Sequence, residues 1–311
     1  LDSRTLLVSP YSRLCDGEIS VLDPARLILP AGSTPDAPIP WVTGYDLGAG
    51  EEILVPASAV FHPLPREYPQ LFRTSTNGLA SGNTREEAVF HALMEIIERD
   101  AWSLAEVSRD TGPRVREIDD PLAVSLLEKF GAAGVEVTVK DITSDIGIPT
   151  IAAVSDDTLL QDPALLTIGM GTHTSARIAV LRALTEVAQS RLTQIHGARE
   201  DTTVADIRKK MGYERTKRMN RYWFSSRETR RFAEIPSLDT SDFLEDIDRA
   251  RERLKEAGLP QVIVVDLTRE SIGVPVVRVI VPGLEVFAMD RERIGRRCHE
   301  AQDRHFSRSK P

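Results

Sequence analysis

Cysteine is almost missing from this sequence, with Cys15 and Cys298 the only two among 311 residues. They stand far apart without a second thiol or a histidine at metal-ligand spacing, and His299 beside Cys298 is too little for a site. Neither a zinc centre nor a disulfide framework is indicated. Long apolar runs are missing too. No stretch approaches the roughly 20 residues needed to cross a bilayer, and the amino-terminal LDSRTLLVSPYSR lacks a signal-peptide pattern, so the expectation is a cytoplasmic protein with no membrane partner. Basic excess is also lacking: the formal charge of −8 argues against a nucleic-acid backbone as the main partner. What is present is 41% apolar residues, enough to fill a sizeable core in one large domain or two ordinary ones.

Proline is distributed unevenly. Nine of the 19 prolines fall between Pro24 and Pro69, which forbids long helices there and predicts extended edges with a hairpin around Asp46 to Gly50. From residue 84 onward helical periodicity predicts segments at about 84–107, 119–133, 175–195 and 242–258. They are interleaved with β-rich runs such as VEVTVKDI, PTIAAVS, QVIVVDLT and VPVVRVIV. The class is mixed α+β.

An internal duplication says more than these local signals. LEKFGAAGVEVTVKDITSDIGIPTIAAV (127–154) and LKEAGLPQVIVVDLTRESIGVPVVRVIV (254–281) both read helix, Gly, strand, Asp-x-Thr, Ile-Gly-Ile/Val-Pro, strand. The helices repeat as well: AVFHALMEIIER from Ala88 aligns with AVLRALTEVAQSR from Ala179, pairing His91 with Arg182, Glu95 with Glu186 and Glu98 with Gln189. The period is too long for a solenoid. Two related halves about a pseudo-twofold axis are expected, with a site between them.

The first of those helices carries an unusual face. At about 100° per residue, with Glu87 as origin, His91 falls near 40°, Glu95 near 80° and Glu98 near 20°. Val89, Phe90, Leu93, Ile96 and Ile97 occupy the opposite arc. Thr84 is placed as the N-cap, with Glu87 at the third helical position to close a capping box. Glu95 and Glu98 should repel each other if unpaired. Two readings are open: a solvated acidic face, or a set of carboxylates for Mg²⁺, which binds through one or two carboxylates, water and substrate phosphates. In the second helix Arg182, Glu186 and Gln189 share a face opposite Val180, Leu184, Val187 and Leu192. Arg182 is placed either opposite the acidic helix, gripping a metal-bound polyphosphate, or in a surface pair with Glu186. The preceding GMGTHTS has Gly169 and Gly171 but Thr174 at the third glycine position, so it fails as a dinucleotide fingerprint. Both this loop and NGLASGNT are candidates to expose backbone amides at a helix start. Neither is a Walker motif.

NGLASGNTREEAVFHALMEIIERDA resembles the ATP-binding segment of YcaO proteins, and GMGTHTSARIAVLRALTEVAQSRL followed by HGARED resembles their second-half helix. The resemblance runs from about Trp41 to Gly283. It implies an α+β YcaO-type fold of two related halves about a pseudo-twofold axis, with the ATP site between them. Residues 1–70 would form its Pro-rich strand and loop region, and residues 71–311 the remainder of a single domain. By the same resemblance Glu87, Glu95 and Glu98 bind Mg²⁺, while Ala80, Asn83, Arg99 and Arg182 contact ATP; no catalytic residue is assigned. YcaO enzymes use ATP to phosphorylate a backbone amide oxygen, after which a nucleophile attacks the amide carbon. Side-chain thiols or hydroxyls give azolines, and external sulfide gives a thioamide.

Two departures bear on the choice. The family's other ATP-contacting Glu-x-x-Glu-Arg segment is not found before Trp41, which leaves two expectations open: it lies outside the sequence given, or it is deleted, which would favour a non-catalytic scaffold. The chain ends RHFSRSKP rather than in the Pro-x-Pro-x-Pro tail of many cyclodehydratases. DLTRESIGVPVVRVIVPGLE and AQSRLTQIHGARED resemble the branch that works with TfuA-type partners. The expected activity is therefore ATP- and Mg²⁺-dependent thioamidation of a peptide or protein, with sulfide or a TfuA-like protein as sulfur donor; a homodimer is left open. Substrates in that branch include ribosomally made peptides and a glycine of methyl-coenzyme M reductase, and the arginine-rich composition favours a bacterial peptide pathway. The alternatives are an azoline-forming cyclodehydratase and a non-catalytic peptide-binding scaffold.

Overall fold

A computed structural model describes residues 6–196, 207, 209–226 and 228–308, the last four as backbone. Beyond His196 the HGARED segment lies outside the described residues, as do the last three residues of the tail. The chain divides into two compact units, Leu1–Ser108 with Thr240–Pro311, and Arg109–Asp239.

The first unit is built on a seven-stranded sheet in the order β2-β4-β3-β11-β12-β5, with β1 also paired to β3. Its strands are β1 (Leu7–Ser9), β2 (Ser20–Val21), β3 (Ile39–Asp46), β4 (Glu51–Pro56), β5 (Leu79–Ser81), β11 (Ile263–Asp266) and β12 (Val276–Ile280). The expected hairpin is β3–β4, paired from Trp41 with Pro56 to Asp46 with Glu51. Its turn forms because the Asp46 carboxylate accepts the N–H groups of Gly48 and Ala49, and Gly50 at φ 73° takes the left-handed corner. Leu22, Ile39, Trp41, Ile53, Val55, Ile263 and Val265 form a buried core beneath it. Helices α1 (Tyr11–Leu14), α2 (Arg85–Ser108), α7 (Phe243–Glu256) and α8 (Arg296–Arg308) complete the unit. Val89, Phe90, Leu93, Ile96 and Ile97, the predicted apolar arc of α2, are all buried.

The second unit carries a five-stranded sheet in the order β10-β6-β7-β8-β9. These are β6 (Arg114–Arg116), β7 (Val135–Asp141), β8 (Thr150–Asp157), β9 (Ile168–Thr172) and β10 (Thr229–Arg231), joined by helices α3 (Pro121–Ala132), α4 (Ala176–His196), α5 (Tyr213–Met219) and α6 (Arg221–Phe224). Val139, Ile151 and Ala153 pack against Val180, Leu184 and Val187 of α4. Leu192, expected on the same apolar face, is exposed instead: the buried apolar positions of α4 end at Val187, and beyond them Arg191 is the side chain buried, paired with Asp157 of β8.

The duplication has a structural counterpart in each unit. An Asp-capped helix (α3 from Asp120, α7 from Asp242) leads into an antiparallel hairpin, β7–β8 or β11–β12. Its turn is tied by the Asp-x-Thr motif: Asp141 accepts the Thr143 N–H and Asp266 the Thr268 N–H, while the two threonine hydroxyls accept the N–H groups of Thr150 and Val276. Each hairpin then pairs with a strand that precedes a long helix, β9 before α4 and β5 before α2. In sequence the order differs, because β5–α2 comes before its hairpin and β9–α4 after.

Candidate functional site

Helix α2 starts as its sequence predicts, with the Thr84 hydroxyl accepting the Glu87 N–H at 3.1 Å. The expected capping box closes one residue further back. Glu87 Oε2 accepts both the backbone N–H of Asn83 at 2.6 Å and its Nδ2–H at 2.8 Å, rather than the Thr84 N–H. Those two bonds, backbone first, hold the Glu87 carboxyl below the usual range and keep it ionised. Its other oxygen lies 3.6 Å from His91 Nε2.

Two turns on, Glu95 Oε2 accepts the Gly78 N–H at 3.1 Å, and Glu95 Oε1 lies 3.7 Å from Arg99. Gly78 is required twice, since its φ is +80° and a Cβ there would run into the Val279 carbonyl and Ile96. Arg99 reaches Glu98 as well, at 3.6 Å, and stacks over Trp102. The solvated-face reading fails here: the side chains of Glu87, Glu95 and Glu98 are 19%, 24% and 4% exposed. Glu98 lies in the interior, deeper than a cleft-edge carboxylate was expected to sit.

The expected loop amides are therefore already directed at carboxylates. Gly78 and Asn83 donate to Glu95 and Glu87, so the NGLASGNT loop clasps the acidic face instead of leaving those two N–H groups to an anion. Ala80, which the resemblance puts in this loop, sits half-buried in β5, paired with Val277 of β12. GMGTHTS behaves differently again. Gly169 and Gly171 lie within β9, where a Cβ would overlap the backbone of Ala183 and Ala179 in α4, so they serve close strand–helix packing. The N–H groups of Ser175 and Ala176 are bonded to His173 and Ser237. Arg182, on α4 of the second unit, is half-buried with its Nε lacking a hydrogen-bond partner.

Sequence reasoning missed Arg278. It lies on β12 at 5% exposure, with one Nη donating to the Ser75 carbonyl and Nε unpartnered. Burial pushes its guanidinium down to about 10, against the opposing pull of Glu95. The signal was available as a lone charge inside the apolar run VPVVRVIV.

The three glutamates do not form one cage, and the described residues contain no cluster of three or more His, Cys, Asp or Glu able to hold a metal. Helix geometry explains this, because Glu87 and Glu95 are about 12 Å apart along the axis at 1.5 Å per residue. Mg²⁺ makes no such demand; it takes one or two carboxylates and completes its shell with water and phosphate oxygens. Buried polar atoms left unpartnered around this ladder, Arg99 Nε, Arg278 Nε and Asn77 Oδ1, are the mark of a site built for a polar ligand. The residues fit ATP with Mg²⁺. Cys298 plays no part: burial first, and then Glu285, push its thiol far up, which leaves it inert.

A mixed α+β protein whose acidic helix and buried arginines suit a metal-bound polyphosphate, without a phosphate-binding glycine loop, is the class these observations define. The chain belongs to the YcaO family: the family model described as YcaO cyclodehydratase, ATP- and Mg²⁺-binding, matches residues 2–285. ATP and Mg²⁺ are thus the cofactors that membership brings. An uncharacterised protein of Methanothermobacter thermautotrophicus is 56% identical over 92% of this chain and 75% of its own length. An uncharacterised protein in the tfuA 3′ region of Rhizobium leguminosarum bv. trifolii is 35% identical over 80% of this chain, which spans 61% of that protein. Among solved structures, YcaO from Methanopyrus kandleri, bound with AMPPCP and Mg²⁺, superimposes with a TM-score of 0.77 at 32% identity, covering 93% of this chain and 73% of that one. The heterocyclase TruD superimposes at 0.75 with 26% identity, over 93% of this chain and 43% of TruD. No helix among the described residues is long and apolar enough to cross a membrane.

Proposed function

We propose that this chain is the YcaO part of an ATP-dependent enzyme that converts a backbone amide of a peptide or protein into a thioamide. ATP supplies the phosphoryl group that turns the amide oxygen into a leaving group, and Mg²⁺ offsets charge on it. Glu87, Glu95 and Glu98 are assigned to the metal, and Asn83, Ala80, Arg99 and Arg182 to the nucleotide. The ladder on α2 suits this work because its carboxylates are held in place by Asn83, Gly78 and Arg99 rather than swinging in solvent. Sulfur then attacks the activated carbon, and phosphate departs with the former amide oxygen.

The observation that carries the sulfur reading is the 35% identity with a protein encoded beside tfuA, which agrees with a TfuA-like sulfur donor as partner. The 25% identity with a heterocyclase solved with substrate and cofactor favours the second reading, azoline formation from Cys, Ser or Thr of the peptide. The substrate is taken only as a backbone amide of a peptide or protein. The test incubates the full-length enzyme, ATP, Mg²⁺ and the cognate peptide with and without sulfide and weighs the product. Exchange of oxygen for sulfur, seen only with sulfide, is expected. Loss of water at Cys, Ser or Thr without sulfide would establish the azoline reading instead, and no change under either condition would leave the scaffold.

A further inference from the structure

Behind the acidic ladder lies a cavity of about 70 Å³, lined by Ser75, Asn77, Arg278 and Arg293 among apolar walls that include Phe72 and Ile96. Two arginines on one small cavity is an unusual content for a protein interior. Arg278 and Arg293 are 5% and 8% exposed, and neither forms an ion pair among the described residues. Arg293 is fixed: its Nε and one Nη donate to the carbonyls of Ile28 and Leu27, and the guanidinium lies 3.8 Å over the Phe72 ring. Arg278 is held by one Nη, which donates to the Ser75 carbonyl, and keeps a buried Nε without a partner. Asn77, on the same wall, has an unpartnered Oδ1.

Their electrostatics run the same way. Burial, opposed by Glu95 and aided by the charge of neighbouring Arg293, lowers Arg278 to about 10, and burial lowers Arg293 to about 10 as well. The nearby carboxylates accept other hydrogen bonds, Glu95 from the Gly78 N–H, Asp290, whose charge acts on Arg293, from the Glu292 N–H, and Glu285 from the N–H groups of Gly295 and Cys298. Buried charges without a partner are costly, and a guanidinium neutralises only at extreme pH. An anion in the cavity removes that cost. At about 70 Å³ the cavity is well above the roughly 10–15 Å³ that a single water needs, so it has room for a small anion. A phosphate carries a charge between about −1.5 and −2, which balances two guanidinium groups, and its oxygens accept from their planar forks. The Asn77 amide offers both a donor and an acceptor to a monoprotonated phosphate.

We infer that Arg278, Arg293 and Asn77 form a binding site for one phosphate group. The group has two sources, the terminal phosphate of a nucleotide or free phosphate. The site stands apart from the choice of sulfur or side chain as nucleophile, and a wrong product in the sulfide experiment leaves it untouched.

Calorimetric titration of the full-length protein with inorganic phosphate, and separately with a non-hydrolysable ATP analogue plus Mg²⁺, tests it in wild type, Arg278→Met and Arg278→Lys. Methionine matches the arginine stem in an apolar setting, and circular dichroism reports whether each variant is folded. Phosphate is expected to bind wild type and to bind Arg278→Met at least about tenfold more weakly, with Arg278→Lys between, because lysine retains the charge but not the fork. If the analogue displaces phosphate, the site takes the nucleotide's terminal group; if both bind together, it takes free phosphate. Should Arg278→Met fail to fold, Arg278→Lys alone decides, through the same loss. Equal affinity for phosphate in wild type and variant, or no phosphate binding to wild type in the millimolar range, overturns the inference.

Discussion

Replacing Glu95 by Gln removes one charge and almost nothing else. The Gln Oε1 can go on accepting the Gly78 N–H, now at 3.1 Å from the carboxylate, so the loop between β5 and α2 keeps its anchor. The contact with Arg99 at 3.7 Å is long and part-exposed, worth less than about 1 kcal/mol. Loss of the charge-assisted part of the Gly78 bond adds a similar amount. Stability should therefore fall by less than about 2 kcal/mol. If Glu95 is a Mg²⁺ ligand as proposed, catalysis should suffer more, since losing a carboxylate ligand costs several kcal/mol of charge stabilisation, and about 2.7 kcal/mol is already 100-fold in rate. The assay is phosphate release across a Mg²⁺ titration, with urea unfolding of the same preparation alongside. A folded variant at least about 100-fold slower, recovering in part at high Mg²⁺, is expected. Turnover within about twofold of wild type at ordinary Mg²⁺ would remove Glu95 from the metal site, and with it the reading of the ladder.

Arg182→Lys should weaken binding of the ATP analogue by about tenfold, since the charge stays and the fork is lost; unchanged affinity would return Arg182 to a structural role on α4. Arg297→Met should cost about 3–5 kcal/mol at neutral pH, because it strands Asp100, which is fully buried and takes two bonds from Arg297 at 3.0 and 2.8 Å. Burial already pushes the Asp100 carboxyl up, against the pull of Arg297 and the Glu285 N–H. For a carboxyl raised on folding, stability is lost as pH rises from its ordinary value through its folded one, and without Arg297 that window widens upward. The deficit measured by urea unfolding should hence shrink as pH falls toward the ordinary carboxylate range, and a deficit independent of pH would show that lost packing rather than stranded charge is responsible.

The long helices were legible because each has one strong period and a clear start. Segments predicted at about 84–107, 119–133, 175–195 and 242–258 are found at Arg85–Ser108, Pro121–Ala132, Ala176–His196 and Phe243–Glu256. Capping residues made this possible: Thr84, Asp120 and Asp242 each accept a first-turn N–H. What periodicity could not show is depth. It placed Glu98 and Glu95 on one face, yet Glu98 is interior and Glu95 part-exposed, since the elements covering the helix are remote in sequence. Arg278 escaped for a related reason. A charge inside an apolar strand reads as a tolerated exception until its guanidinium is seen to share a cavity with Arg293, contributed by a segment 15 residues on. The glycines of GMGTHTS misled in the opposite direction, because Gly next to a helix start has two uses, exposing amides and admitting a backbone, and only the position of α4 decides between them.

The two copies of the repeat divide along that same line. Their hairpins have stayed alike in mechanism, each tied by an aspartate and a threonine at the same offset, because that turn fixes strand register and tolerates little change. The corner between strand and long helix has diverged. In the second unit β9 lies so close to α4 that Gly169 and Gly171 have no room for a Cβ. In the first, β5 is only three residues long, and the loop on either side of it turns its N–H groups onto Glu95 and Glu87. A short strand frees backbone donors that a longer ladder would consume. Those donors bond to carboxylate oxygens on the adjoining helix, so the shortness of β5 contributes to seating an acidic face on α2 in a half-buried setting.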